Sequence, residues 1–354
     1  MDNDPLLAEV RPAHRFDASA LARHLARHLP EAGGLRRILQ YEGGQSNPTF
    51  RLDADGGSYV LRKKPPGVLL PSAHQIEREY RILEALHGTD VPVPQPLHLC
   101  EQDSVIGTAF YVMRHVPGRV IDHPALPGLQ PPERAAVYAD MNRVLAALHA
   151  LDPDAVGLGD LGRRGGYIAR QIRRWSDQYR LSAPDPLPEM ERLIERLPGR
   201  IPENDETTLI HGDYRVGNLI LHPSEPRVVA VLDWELATLG HPLGDIAYTA
   251  LAWHFPPDAP RLPGIDPQRR AALGLPSEAE HLAGYTRRSG RSPEANWPFY
   301  LAFSLFRLAA IVQGVHARAL QGNAASPAAL SYGPLVQVYA RKALALLDDE
   351  ATDL

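Results

Sequence analysis

The chain is poor in cysteine, lysine and net positive charge, and each scarcity excludes something. Cys100 is the single cysteine in 354 residues, so no intrachain disulfide forms and a reducing compartment is expected. The lone thiol reads as a small core residue rather than a nucleophile. Lysine occurs three times, at Lys63, Lys64 and Lys342. With a formal charge of −5 and a pI near 6.3, there is no case for a nucleic-acid or membrane-surface partner. The opening MDNDPLLAEVRPAH lacks the basic-then-apolar order of a secretory signal. The most apolar helical stretch, residues 300–315, is interrupted by Arg307 and Gln313, which speaks against a membrane span. Internal repeats and long low-complexity tracts are missing too, and the expected location is the cytoplasm.

What is present is ordinary globular usage, 44% hydrophobic and 22% charged, in a chain long enough for two lobes with their own cores. The informative stretch is residues 209–245, LIHGDYRVGNLILHPSEPRVVAVLDWELATLGHPLGD. His211, Asp213 and Asn218 stand in the order H-x-D-x-x-x-x-N, the spacing of a loop in which the Asp accepts a hydroxyl proton and the Asn holds a metal ion. Two short apolar strands follow, 219–221 and 228–232, joined by the turn-rich HPSEP, and Asp233 ends the second. Such a hairpin lets a loop residue and a strand-end residue meet. Transfer of a γ-phosphoryl group to an alcohol needs a base beside the hydroxyl and oxygen ligands for Mg²⁺ across the phosphates. Asp213 is therefore the expected general base, with Asn218 and Asp233 as metal ligands. Taken singly, each reads as a turn or strand-end residue; together they point to phosphotransfer.

Upstream, residues 18–29 carry leucine at spacing four, an amphipathic helix. The text LQYEGGQSNPTFRL then reads as strand, glycine turn, strand. Gly43 and Gly44 allow close backbone approach, and Gln45, Ser46 and Asn47 offer N–H groups for a phosphate. In SYVLRKKPPG, laying Y-V-L-R on the V-A-I-K pattern gives Arg62 the position of the phosphate-binding cation, with Val60 on the same face; a register one residue later selects Lys63. Glu79 on the next helix is the expected partner of that cation, and Glu77 the reserve. Backbone near Met113, Arg114 and Val116 is the expected adenine-binding hinge. Beyond Gly118 the pattern turns helical, with segments at 133–151, 167–179, 278–289, 297–321 and 332–347. His149, ending the first of these, reads as structural.

HGDYRVGNLIL followed by VLDWE resembles the aminoglycoside phosphotransferase and choline kinase-like superfamily. GGQSNPTF, YVLRKKPPG, LLPSAHQIEREYRIL, VIGTAFYVM and HPSEPRVVAVLDWELATLGHPLGD look closer still to the kinase-like domain associated with acyl-CoA dehydrogenases. The resemblance implies an α+β, bilobal protein-kinase-like fold: an N-terminal antiparallel sheet plus helix, and a mainly helical C-terminal lobe. The expected division is a helical extension over 1–36, a nucleotide-binding N-lobe over 37–116 and a catalytic, acceptor-binding C-lobe over 117–354. It also implies Asp213 as catalytic Asp, Asn218 and Asp233 as Mg²⁺ ligands, Arg62 at the lysine position and Glu79 as its partner. Gly44, Ser46, Asn47, Val60, Met113, Arg114 and Val116 complete the expected ATP site. Asp245 matches a recurrent acidic position and is expected to brace the catalytic loop. Arg62 in place of lysine, and DWE in place of DFG, depart from protein kinases.

The activity so implied is ATP-dependent phosphorylation of a small hydroxylated metabolite, with a hydroxyacyl-CoA or hydroxy acid as the closer suggestion. Residues 250–347 hold ten Lys and Arg against five Asp and Glu, which favours an anionic acceptor over a polycationic antibiotic. An aminoglycoside-type kinase and a nucleotide-binding scaffold without turnover are the alternatives. A protein kinase is disfavoured, since no A-P-E segment follows Asp233.

Overall fold

A computed structural model describes residues 7–42, 47–65, 75–259, 262–293, 296–321 and 327–349. Gly44 and Ser46 of the expected phosphate loop lie outside them. The described strands are β1 (Leu7–Ala8), β2 (Leu35–Tyr41), β3 (Thr49–Ala54), β4 (Gly57–Lys63), β5 (Pro96–Cys100), β6 (Phe110–Arg114), β7 (Arg119–Val120), β8 (Thr208–Ile210), β9 (Leu219–Leu221), β10 (Val228–Val231) and β11 (Thr238–Gly240). The described helices are α1 (Ala18–His28), α2 (Ile76–Leu86), α3 (Pro131–Ala150), α4 (Tyr167–Ser182), α5 (Pro188–Arg196), α6 (Pro242–Ala250), α7 (Glu278–Ser289), α8 (Trp297–Leu320) and α9 (Gly333–Asp349). Two compact units result: residues 1–119 with 219–224 and 228–235, and residues 120–218 with 225–227 and 236–354.

The first unit is built on an antiparallel sheet in the order β1-β2-β3-β4-β6-β5. Strand alternation sorts its side chains. Phe50 and Leu52 of β3, Tyr59 and Leu61 of β4, Cys100 of β5, and Phe110 and Val112 of β6 share one core with Leu21, Leu25 and Leu29. Those leucines recur every fourth residue, so one stripe of α1 faces the sheet, and burying each contributes about 1.5–3 kcal/mol. Asp17 caps α1, its Oδ1 accepting from the amides of Ser19 and Ala20 at 2.8 and 2.9 Å. The segment expected as an extension thus supplies part of this unit's core. The β9–β10 hairpin also belongs here, with Leu219 opposite Val231 and a bulge between Val228 and Ala230.

In the second unit, α8 is apolar nearly all round and is sheathed by α4, α6 and α9. By length and composition α8 would cross a membrane, but 78% of its apolar window is buried within the protein, as in a core helix. The expected core of α3 is observed, with Val137, Met141, Val144, Leu145 and Leu148 all buried. Gln130 and Glu133 form a capping box at its start. The apolar pattern gave no sign of α5, a nine-residue helix with three buried positions. β8 and β11 pair antiparallel, setting Ile210 opposite Thr238 just before the 211–218 loop.

Candidate active site

In the second unit the chain leaves β8 as His211-Gly212-Asp213, and Asp245 in the first turn of α6 fixes its course. The Oδ2 of Asp245 accepts from the His211 amide at 2.7 Å and its Oδ1 from the Gly212 amide at 2.8 Å, while His149 Nε2 lies 3.2 Å from Oδ2. Burial works to raise this carboxyl, but His149 and the amides outweigh it and hold it below the ordinary carboxylate range. His149 is itself oriented by the Tyr285 hydroxyl, 2.7 Å from its Nδ1. Gly212 adopts φ +83°, and a Cβ there would sit 2.8 Å from the Leu236 carbonyl oxygen, so the turn calls for glycine. Its carbonyl accepts from the buried Arg307 guanidinium at 2.8 Å.

Asp213 follows with its carboxylate positioned from several sides. Asn218 Nδ2 donates to the Asp213 carbonyl at 2.8 Å and to its Oδ2 at 2.9 Å, closing the loop on itself. Burial, with the nearby Asp213 carboxylate, raises the pKa of the Tyr248 hydroxyl. Arg215 Nε lies 3.7 Å from Asp213 Oδ2, and Arg215 NH1 lies 2.5 Å from Asp122. Arg215 and Tyr248 also line a pocket, open to solvent, whose walls include Met141, Leu251, Phe255 and Leu262. None of the described cations of residues 250–347 lines it; Arg215 and Asp122 are its charged groups. The charge count over 250–347 therefore does not describe this pocket.

In the first unit Arg62 lies on the sheet face opposite α1. Its guanidinium is 3.4 Å from Glu79 Oε2 and 3.5 Å from Asp233 Oδ1. The Glu79 carboxylate also accepts from Tyr111 at 3.0 Å and from Asn47 Nδ2 at 2.9 Å. Burial pushes the Glu79 carboxyl up, and Arg62 only partly draws it back. Burial likewise works against the Arg62 charge, yet Tyr111, Glu79 and Asp233 together raise its pKa above the ordinary guanidinium value. Lys63 points to the other face, buried, with its Nζ 6.0 Å from the centre of the Phe16 ring. The reserve carboxylate, Glu77, pairs with Lys64. Val60 stands opposite Met113, and the Arg114 amide donates to the Gln95 carbonyl at 2.9 Å. Val116 sits half-buried between β6 and β7.

Asp233 holds a left-handed φ of +64°, uncommon for a residue with a side chain, and its buried Oδ1 accepts no hydrogen bond. A carboxylate oxygen left without a donor, at a strained strand end, suits a hard cation such as Mg²⁺. The pairing of Leu219 with Val231 sets the residue after Asn218 opposite the residue two before Asp233.

Residues 37–291, most of the chain, match the phosphotransferase enzyme family. The chain belongs to that family. A protein of Ralstonia eutropha JMP134, named a putative aminoglycoside phosphotransferase, has a crystal structure that this phosphotransferase-family chain matches with TM-score 0.86 and 48% identity, over 95% of this chain and 99% of that one. Spectinomycin phosphotransferase in complex with ADP and its antibiotic shares the fold at TM-score 0.62 and 14% identity, over 95% and 99% of the two chains. Acyl-CoA dehydrogenase family member 10 of Mus musculus is 46% identical over 96% of this chain but 32% of its own length. Family member 11 of Homo sapiens is 44% identical over 96% of this chain and 44% of its own. The chain thus spans a third to under half of these curated relatives. As a member of the phosphotransferase family it has the kinase-like α+β fold expected from the sequence.

Sequence reasoning missed several residues around the 211–218 loop. Arg307 was read only as an interruption of an apolar run, and nothing marked Tyr248 or the Asp122–Arg215 pair. Tyr248 stands three residues after Asp245, one turn of α6 further on, which was the available signal.

Proposed function

We propose that this chain transfers the γ-phosphoryl group of ATP to the hydroxyl of a small anionic metabolite, a hydroxyacyl-CoA or a hydroxy acid. The observation that carries this reading is the Asp213 carboxylate, held by Asn218 beside a mostly apolar pocket that contains Arg215 and Tyr248. Asp213 accepts the acceptor's hydroxyl proton as the oxygen bonds to the γ-phosphorus and the bond to the β-phosphate oxygen breaks, releasing ADP. Arg62, oriented by Glu79, binds the α- and β-phosphates. Asn218 and Asp233 would hold Mg²⁺, which supplies neutralisation of the phosphate oxygens. Met113, Arg114 and Val116 take the adenine edge, with Val60 against the ring and Gly44, Ser46 and Asn47 at the phosphates. The apolar lining of the pocket suits an acyl chain, and Arg215 an anionic group.

The test is Mg²⁺-dependent ATP consumption against hydroxyacyl-CoAs, free hydroxy acids, aminoglycosides and a generic protein. Preference for the CoA thioester, lost in Asp213→Ala while nucleotide binding persists, is the expected result. Turnover confined to a cationic antibiotic would favour the second reading, for which Asp122 in the same pocket is the supporting observation.

A further inference from the structure

The first unit carries a second cluster of chemistry-bearing side chains, on the sheet face away from Arg62. His24 and His28 stand one turn apart on α1, and His98 and Cys100 alternate on β5, the edge strand of the six-stranded sheet. His24 Nε2 and His98 Nε2 are 2.8 Å apart, and a ring nitrogen of each histidine and the Cys100 sulfur all lie within 4.8 Å of one another. The His28 ring centre is 4.3 Å from that of His24 and 4.9 Å from that of His98. Phe110 floors the cluster, 5.7 Å from the His24 ring and 6.5 Å from His98.

We infer that His24, His98 and Cys100, with His28 in the fourth position, form a binding site for a single Zn²⁺ ion that ties α1 to the edge of the sheet. Imidazole nitrogen and thiolate sulfur are the donor set that Zn²⁺ takes, with bonds of about 2.0–2.1 Å to nitrogen and about 2.3 Å to sulfur. Donors around a tetrahedral ion at those lengths stand roughly 3.3–3.7 Å apart, so side-chain rotations on the order of 1 Å close the present arrangement. Metal ligation takes the neutral form of an imidazole. His24 Nε2 and His98 Nε2 are in hydrogen-bond contact, so one of the two nitrogens has its lone pair facing the other. Cys100 is a free, buried thiol, and a metal that takes its sulfur displaces the thiol proton. Binding forms the sulfur–metal bond, breaks the S–H bond and releases that proton to solvent. The shared N–H between His24 and His98 moves to a ring nitrogen facing away, with no net proton change.

Cys100 is the only cysteine of the chain, and this makes the experiment specific. The whole chain, stripped of metal by chelator dialysis, is titrated with Zn²⁺ and with Co²⁺ as its spectroscopic stand-in. One Co²⁺ per chain is expected to produce an intense near-ultraviolet sulfur-to-cobalt band, which no other residue here can supply, with about one proton released per ion. The band disappears in Cys100→Ser, His24→Ala and His98→Ala each weaken Zn²⁺ binding by about tenfold or more, and His28→Ala keeps the band at lower affinity. Zn²⁺ raises the Tm of the unmodified chain and not that of Cys100→Ser. The site is refuted if Co²⁺ binds without the sulfur band, as an ion held by Asn218 and Asp233 would. It is equally refuted if His24→Ala and His98→Ala bind Zn²⁺ as tightly as the unmodified chain. The band and the proton release are read on the unmodified chain, so a variant that fails to fold does not remove the test.

Discussion

A carboxylate with two backbone amides and an imidazole around it has no room left for a proton. Asp245 is in that position, and its folded pKa lies below that of an unfolded aspartate. The unfolded state then binds more protons near and below pH 4, so the stability Asp245 contributes is fully present above its unfolded pKa and is lost as pH falls through its folded one. Replacing it by Asn keeps the shape but removes the charge and one of the two acceptors, leaving one backbone N–H without its partner. Asp245→Asn is expected to cost about 1.5–3 kcal/mol at pH 7 and to flatten the acid limb of stability, read as urea midpoints from pH 7 down to 3. Glu79→Ala leaves Arg62 buried without its main counter-charge, a change that typically costs about 3–5 kcal/mol; an unaltered Tm in that variant would mean water reaches Arg62. Asp213→Ala is expected to lower kcat about 10²–10⁴-fold with nucleotide affinity retained, by single-turnover kinetics and calorimetry. At this scale the sequence was readable wherever the spacing is local. Asp213 and Asn218 are five residues apart and their hydrogen bonds follow from that spacing. Arg62 and Lys63 were separable only once α1 was known to occupy one face of the sheet, because alternation alone says that the two point apart without saying which way.

Elements were legible in proportion to their periodicity. The leucine stripe of α1, the apolar face of α3 and the hairpin after Asn218 all stand where the pattern put them. α5 did not show, since its nine residues bury three side chains and five of its positions are Glu or Arg. Long-range partners were invisible for a different reason: Arg307 reaches Gly212 across 95 positions and Arg215 reaches Asp122 across 93, distances over which no local rule operates. The loop after β8 yields its own prediction. Gly212→Ala adds a Cβ at left-handed φ and against the Leu236 carbonyl. The conformational strain alone is about 1–2 kcal/mol. A misplaced Asp213 is expected to lower kcat more than it raises KM for ATP; a fall in stability with kcat intact would show that the turn relaxes without moving the carboxylate.

For the whole molecule, ligand linkage is the accessible measurement. ATP with Mg²⁺ at about 100 times its Kd is expected to add about 2.7 kcal/mol of stability, and Asp233→Ala to remove the Mg²⁺-dependent part of that gain. The first unit is not one run of chain: residues 1–119 are completed by 219–224 and 228–235. During synthesis, the segment that carries Glu79 leaves the ribosome long before the hairpin that carries Asp233, with about a hundred residues of the second unit between them. Until then, Arg62 has Glu79 but not the strand-end carboxylate that will face it. A nascent chain halted at residue 119 therefore holds an unfinished first unit, and a gene fragment cut at that point encodes the same one.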